Sequence, residues 1–326
     1  MANLQSILLA GPTAVGKSEV GLLLAEKLGG EIISVDSMQG YRGLDIGAAK
    51  PSAEERARVP HHLIDVADLT ESFDAAQFVR RARQALAEIQ WRGMQPILCG
   101  GTGLYFKAFL EGLGQAPPAD PAVRAELEAT PLADLLRELA QRDPATYQTI
   151  DRRNARRVIR AIEVIRLSGK PFSQQRANWE HGTWRAALER SGGGNTEHGT
   201  PFFGLTRPAA DLRSRIDERV DNMFRRGLVA ETEQLLKHGL ADNKAAMQAL
   251  GYRQVVEYLR GHRSLPETIE LVKTRTRQLA RRQMTWFRNQ ARLTWIEIPP
   301  GETPLVTAER LALEIARLEA ADPERA

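Results

Sequence analysis

The chain has 326 residues, 42% hydrophobic and 26% charged, enough for one large or two modest domains and too ordinary in composition for extensive disorder. The formal net charge is only +4, so charged partners must be read from where the arginines cluster rather than from the total. A single cysteine, Cys99, excludes a disulfide framework and a cysteine-based zinc site; no apolar run is long enough to span a bilayer, residues 1–6 lack the pattern of a signal peptide, and a cytoplasmic protein is expected.

Residues 6–10 (Ser-Ile-Leu-Leu-Ala) read as a buried strand. The next eight, Gly11-Pro12-Thr13-Ala14-Val15-Gly16-Lys17-Ser18, fit G-x-x-x-x-G-K-[ST] and run into a predicted helix over 17–28 that Gly29-Gly30 closes. Strand, loop and helix in this order form a phosphate cradle. Backbone amides turn inward, the helix N-terminus adds its dipole, Lys17 adds a full charge, and the Ser18 hydroxyl is placed to ligate Mg²⁺. The pattern fits a di- or triphosphate, ATP included, without naming the ligand.

A second strand covers 31–36 and ends in Asp36-Ser37-Met38-Gln39. Open parallel sheets bind ligands at the carboxyl ends of their strands, so Asp36 should face the cradle. There it could hold Mg²⁺, serve as base toward an attacking nucleophile, or simply cap a turn. A third strand is expected at 62–66, with Asp65 a rival for the metal. His61 and His62 would point to opposite faces of such a strand and are poor co-ligands. A helix follows over 74–92, with Asp74 as N-cap and Gly93 as stop. Residues 96–99 form a fourth strand ending in Gly100-Gly101-Thr102-Gly103-Leu104-Tyr105, which taken alone is a tight strand-to-helix turn.

Beyond Gly112 the texture changes. Asp120-Pro121 starts a stretch that is helical as far as about Ser168. Ser191-Gly192-Gly193-Gly194-Asn195 reads as a flexible connection, and strands return at 202–206 and 293–298. The expected class is α/β, a parallel sheet flanked by helices with an all-helical domain inserted. Residues 1–113 and 202–326 would form the core domain and 114–201 the insertion.

Two arginine stripes point to nucleic acid. Residues 152–166 hold six arginines and one glutamate, with Arg153, Arg156, Arg157 and Arg160 at one-face helical spacing. Residues 273–292 hold seven basic residues and no acidic ones; Lys273, Arg277, Arg281, Arg288 and Arg292 share a face, and Leu279, Trp286 and Leu293 are expected to pack inward. Charge runs are usually solvated faces, but arginines without interleaved glutamates favour phosphate-backbone contact.

Taken in order, Gly11 to Ser18, Ile33 to Ser37, Asp45 to Pro51, Gly100 to Tyr105, Gly251-Tyr252-Arg253-Gln254 and Arg281 to Arg288 resemble the bacterial tRNA dimethylallyltransferase (tRNA isopentenyltransferase) family along nearly the whole chain. The resemblance implies a P-loop NTPase-like core with a mobile helical, tRNA-binding insertion. It implies transfer of a dimethylallyl group from its diphosphate to the exocyclic amine of the adenosine 3′ to the anticodon, with Mg²⁺ as cofactor, by a monomer. Lys17, Asp36 and Thr102 would be catalytic. The diphosphate would lie on Gly11, Pro12, Thr13, Ala14, Val15, Gly16, Lys17 and Ser18, with Arg215 and Arg219 nearby. The anticodon stem-loop would meet Asp36, Ser37, Met38, Gln39, Thr102, Arg124, Arg156, Arg157, Val158, Ile159, Arg160, Arg281, Arg282 and Arg288. Ala48 departs from the family's common threonine, residues 180–200 form a longer stretch than usual, and no zinc finger of the eukaryotic kind follows. A nucleotide or nucleoside kinase with an arginine-rich lid is the rival reading of the same P-loop.

Overall fold

Strands that are apolar on both sides must be covered on both sides, and that requirement organises the larger part of the chain. The structure, a computed structural model, describes residues 5–175 and 201–320. These form two compact units, one from residues 5–110 and 201–320, the other from residues 111–175.

In the larger unit, β1 (Ile7–Ala10), β2 (Gly30–Val35), β3 (His61–His62), β4 (Gln95–Gly100), β5 (Phe202–Thr206) and β6 (Thr294–Glu297) make one sheet in the order β3-β2-β4-β1-β5-β6. Every neighbouring pair is parallel. Side chains alternate between two cores. Leu8, Ile33 and Leu98 face one side, while Leu9, Ile32 and Ile97 face the other.

The helices of this unit are α1 (Lys17–Leu28), α2 (Ala53–Arg58), α3 (Ala75–Trp91) and α4 (Gly103–Glu111) before the helical unit. The helical unit contributes α5 (Pro121–Ala129), α6 (Leu132–Arg142), α7 (Pro144–Thr149) and α8 (Ala155–Ser168). The sheet then resumes with α9 (Ala209–Arg225), α10 (Leu228–Lys237), α11 (Tyr252–Leu259), α12 (Leu265–Gln290) and α13 (Pro304–Ala320). Val20 and Leu24 of α1 pack with Leu311 and Ile315 of α13 on one face of the sheet; Phe78, Phe106, Tyr252 and Phe287 cover the other. The fold is α/β, a P-loop NTPase-like parallel sheet flanked by helices.

Local chemistry sets the helix ends. The Asp74 carboxylate accepts from the amides of Ala76 and Gln77 and starts α3. Ser264 and Glu267 form a capping box at the head of the 26-residue α12. Gly29, left-handed at φ 61, ends α1, and Gly30 already belongs to β2.

The expected third strand over 62–66 is a two-residue strand followed by a turn. Leu63 and Asp65 take φ of 65 and 57, which breaks the extended chain. The Asp65 carboxylate is held there by Lys50 and Arg56. In the helical unit, Asp120 caps α5 with proline in the first turn, and Leu127, Leu135, Leu139, Val158, Ile162 and Ile165 form its own core. The expected connection at 180–200 lies outside the described residues.

Candidate active site

The order β2-β4-β1 places three motifs side by side at the carboxyl edge of the sheet: Asp36 after β2, Gly101-Thr102 after β4, and the P-loop after β1. Gly100, at the centre, must be glycine. A Cβ there would lie 2.1 Å from the carbonyl oxygen of Val35 on the neighbouring strand.

In the P-loop, Ala14 (φ 64) and Gly16 (φ 109) adopt left-handed conformations, the kind of geometry that turns successive amides into an anion nest. Gly16 caps α1 without a side-chain acceptor, so the first-turn amides of that helix are left for a ligand. The loop's carbonyls are held by cations. Lys17 Nζ donates to Pro12 O at 2.7 Å, Arg215 Nε to Ala14 O at 3.0 Å, and Arg207 Nε to Val15 O at 2.8 Å. Arg207 is itself braced by Asp211 at 2.9 Å. Sequence reading missed Arg207; the signal was an arginine just past a strand end, but its meaning depends on knowing that β5 lies beside β1.

Burial lowers the pKa of Lys17 to about 8, an effect that nearby Arg219 strengthens and Asp36 and Cys99 oppose. Burial likewise lowers the pKa of Arg219, with Asp36 opposing. The site therefore gathers two cations and one carboxylate in mutual electrostatic range. Such an excess of positive charge suits a polyanionic ligand. Cys99 sits behind Lys17, its thiol 3.5 Å from the Lys17 carbonyl, and burial raises its pKa to about 11, so it stays a neutral packing group.

Asp36 fills one of its expected roles, the turn cap. Its Oδ1 accepts from the amides of Met38 (2.8 Å) and Gln39 (3.3 Å), the turn-capping arrangement. Its Oδ2 makes no hydrogen bond among the described residues. Thr102 ties this turn to β4: its amide donates to Val35 O and its Oγ1 accepts from Ser37 N, both at 3.2 Å. Gln39 accepts from Ser34 Oγ at 2.7 Å and donates to the carbonyls of Ala48 and Ala49. Position 48 contributes backbone to that contact, so alanine there leaves it intact.

Two further motifs prove to be partners. The Tyr252 hydroxyl donates to Glu231 Oε1 at 2.6 Å and accepts from Gly47 N at 3.0 Å, while Glu231 takes the Ile46 amide. A Cβ at Gly47 would fall 2.4 Å from the Tyr252 ring. Asp45 and Asp65 flank the buried Lys50 ammonium. Because Lys50 and Arg56 together occupy the Asp65 carboxylate, Asp65 is a structural anion and not a rival metal ligand. Among the described residues no cluster of three or more His, Cys, Asp or Glu could hold a metal, His61 and His62 included.

The arginine stripes are only partly free. On α12, Lys273 pairs with Asp221 and Arg277 binds Asp217 through two hydrogen bonds, so α9 neutralises the N-terminal half of the stripe. Arg281, Arg282 and Arg288 are exposed and make no ion pair among the described residues, and Arg292 lies past the helix end. The fully buried ridge of α12 includes Val272, Thr276, Ala280 and Phe287; Trp286, seated on Gly103, and Leu293, just past the helix end, pack against the same core as expected, whereas Leu279 is half-buried and off that ridge. In the helical unit, Arg153 precedes the N-cap Asn154 and is off the helix. Glu163, fully buried, takes Arg124 (2.5 Å) and Arg160 (2.7 Å) on one oxygen, so the single glutamate of that stripe does supply an i,i+3 partner. Arg156 and Arg157 are exposed. The Val158 side chain is buried in the helical core and Ile159 packs against it, so neither presents a free side-chain surface.

Comparison with known proteins agrees with this geometry. The IPP transferase family model matches residues 39–290. A tRNA dimethylallyltransferase of Geobacter sulfurreducens is 44% identical over 297 residues, covering 90% of this chain and 92% of the relative. One from Trichlorobacter lovleyi is 43% identical over 306 residues, covering 93% and 96%. Among solved structures, the tRNA isopentenylpyrophosphate transferase of Bacillus halodurans has a TM-score of 0.68 at 38% identity, with 97% of each chain covered. A eukaryotic dimethylallyltransferase acting on tRNA has a TM-score of 0.74 at 26% identity, covering 96% of this chain and 79% of that one. The family model takes in the Gly101-Thr102 turn, and the relatives and solved structures cover nine-tenths or more of the sequence; the chain belongs to the IPP transferase family.

Proposed function

We propose that this chain is a tRNA dimethylallyltransferase, and the observation that carries the reading is the cationic P-loop set beside a carboxylate with a free oxygen. The acceptor is the exocyclic amine of the adenosine 3′ to the anticodon, and the donor is dimethylallyl diphosphate. The amine's lone pair is delocalised into the purine, so the enzyme must make the allylic carbon strongly electrophilic. A bond forms from the amine nitrogen to C1 of the dimethylallyl group as the bond from C1 to the diphosphate oxygen breaks, its electron pair leaving with the diphosphate. Lys17, the P-loop amides and Arg219 stabilise that departing charge, and Arg215 holds the loop in shape. Asp36 orients the amine and takes its proton on Oδ2, while Met38 and Gln39 fix the carboxylate through Oδ1. Thr102 holds the turn that carries Asp36.

Mg²⁺ fits the residues present. The Ser18 hydroxyl is exposed in the first turn of α1 at the end of the cradle, and sparse protein donors suit an ion that completes its shell with phosphate oxygens and water. When bound, it supplies charge neutralisation to the diphosphate.

The target base must leave its stack, at a cost of a few kcal/mol. Contacts from exposed arginines, Arg281, Arg282 and Arg288 on α12 and Arg156 and Arg157 in the helical unit, offset that cost. Arg124, Arg160, Ser37, Met38 and Gln39 complete the tRNA-binding set, and the helical unit is a mobile tRNA-binding domain. The enzyme works as a monomer in the cytoplasm; no described helix is long and apolar enough to cross a membrane. The kinase reading is not favoured, since the family match spans the motifs that a kinase would not share.

The test is diphosphate release from dimethylallyl diphosphate in the presence and absence of tRNA, with ATP in parallel. Release that requires tRNA, and no turnover of ATP, is expected. Release of phosphate from ATP with an inert isoprenoid diphosphate would restore the kinase.

A further inference from the structure

Gln283 occupies a position that none of the charged or nucleophilic groups explains. It lies on α12, half-buried, and its single amide joins two of the three motifs at the sheet edge. Gln283 Oε1 accepts from the P-loop amide of Thr13 at 2.8 Å, and Gln283 Nε2 donates to the Gly101 carbonyl at 3.0 Å. The fit is close. A Cβ on Gly101 would come within 2.6 Å of Nε2, so the glycine admits the amide. One turn on, Trp286 lies so near Gly103 that a Cβ there would fall 2.1 Å from its ring. The same face of α12 thus seats the whole Gly101–Gly103 turn.

From Gly101 the connection continues. Thr102 holds Ser37, and the turn that Ser37 begins is closed on Asp36 Oδ1. The reaction needs the leaving group on the P-loop and the proton acceptor on Asp36 at a fixed separation, because a displacement of about 1 Å in reacting geometry can cost on the order of a hundred-fold in rate. Gln283 joins the P-loop to the Gly101–Thr102 turn, which in turn holds the Asp36 turn through Ser37: a carboxamide offers an acceptor and a donor at a fixed distance, which a glutamate carboxylate, lysine or methionine cannot do.

We propose that Gln283 is a positioning residue for prenyl transfer, setting the P-loop amide of Thr13 against the turn that carries Thr102. The inference rests on the transferase reading above and assigns a role within it. Gln283 touches neither the leaving diphosphate nor the acceptor amine in this role. Its effect falls on the alignment of bound reactants and therefore on kcat, not on the affinity for tRNA.

Gln283→Met and Gln283→Glu test this. Methionine keeps the length and loses both hydrogen bonds; glutamate keeps the acceptor toward Thr13, loses the donor toward Gly101, and brings a negative charge to the cradle. Single-turnover rates with saturating tRNA and dimethylallyl diphosphate, Kd values for tRNA and for the diphosphate, and thermal midpoints would be measured for each. For Gln283→Met, a fall in the single-turnover rate of about ten-fold or more is expected, with tRNA Kd within two-fold and a thermal midpoint close to wild type. For Gln283→Glu, a larger fall is expected, accompanied by weaker diphosphate binding. A Gln283→Met enzyme within two-fold of the wild-type rate would overturn the proposal, as would rate losses that follow the thermal midpoints across both variants. If wild type itself transfers no isoprenoid, the transferase reading fails, and that outcome is separate from either result.

Discussion

Lys17→Met separates a cation kept for chemistry from one kept for the fold. The Lys17 pKa falls from an ordinary 10.5 to about 8 through burial, so the folded state binds its proton less tightly than the unfolded chain does. The unfolded chain therefore holds more protons between pH 8 and 10.5, and the penalty is complete below pH 8 and fades as pH rises to 10.5. At 1.36 kcal/mol per pH unit, the penalty is roughly 3 kcal/mol at pH 7 and below about 1 kcal/mol at pH 10. Methionine escapes it but gives up the 2.7 Å hydrogen bond to Pro12 O. A bond of that kind contributes about 1 kcal/mol. The variant should then be more stable than wild type by about 2 kcal/mol at pH 7 and about equal at pH 10, while binding dimethylallyl diphosphate on the order of ten- to a hundred-fold more weakly. Urea unfolding of both proteins at the two pH values reads the stabilities, and titration calorimetry reads the affinity. A Lys17→Met protein less stable than wild type at pH 7, or a difference that does not change with pH, would refute the argument.

Asp36→Asn removes the proton acceptor while leaving an oxygen for the Met38 and Gln39 amides; single-turnover transfer should fall about 10²–10⁴-fold with diphosphate Kd within a few-fold, and near-normal transfer would remove Asp36 from the chemistry. Replacing Arg281, Arg282 and Arg288 together by alanine should weaken tRNA binding and flatten its log Kd against log salt slope by about two, as expected when roughly three phosphate contacts are lost, with diphosphate binding unchanged. Gly100→Ala drives a Cβ to 2.1 Å from the Val35 carbonyl and must push the central strands β2 and β4 away from each other; about 3 kcal/mol or more of stability should be lost in chemical denaturation.

What could be read from the sequence was local. The P-loop announces itself because its glycines, Lys17 and Ser18 sit at fixed spacing after a buried strand, and α3 because Asp74 and Gly93 mark its ends. The strands β1, β2 and β4 were legible as short apolar runs. The third strand was misjudged because His62 to Val66 has a strand's composition, and only the distant cations Lys50 and Arg56 make Asp65 the anchor of a turn. Charge pairing misled for a similar reason. Asp217 and Asp221 lie more than fifty residues before the basic stripe they neutralise, and Glu163 captures Arg124 from another helix. Gln283 and Arg207 were invisible as site residues, since each acquires its role only when the sheet order places β4 and β5 on either side of β1. Val158 shows the converse: a matched motif position can be a core side chain.

The most direct measurement is mass spectrometry of nuclease fragments from tRNA incubated with the purified protein, Mg²⁺ and dimethylallyl diphosphate. An adenosine beside the anticodon should gain the mass of one dimethylallyl group, and omission of the isoprenoid diphosphate should abolish the gain. Fragments of unchanged mass, from a protein that binds both tRNA and the diphosphate, would contradict the assignment of the phosphate cradle to prenyl transfer.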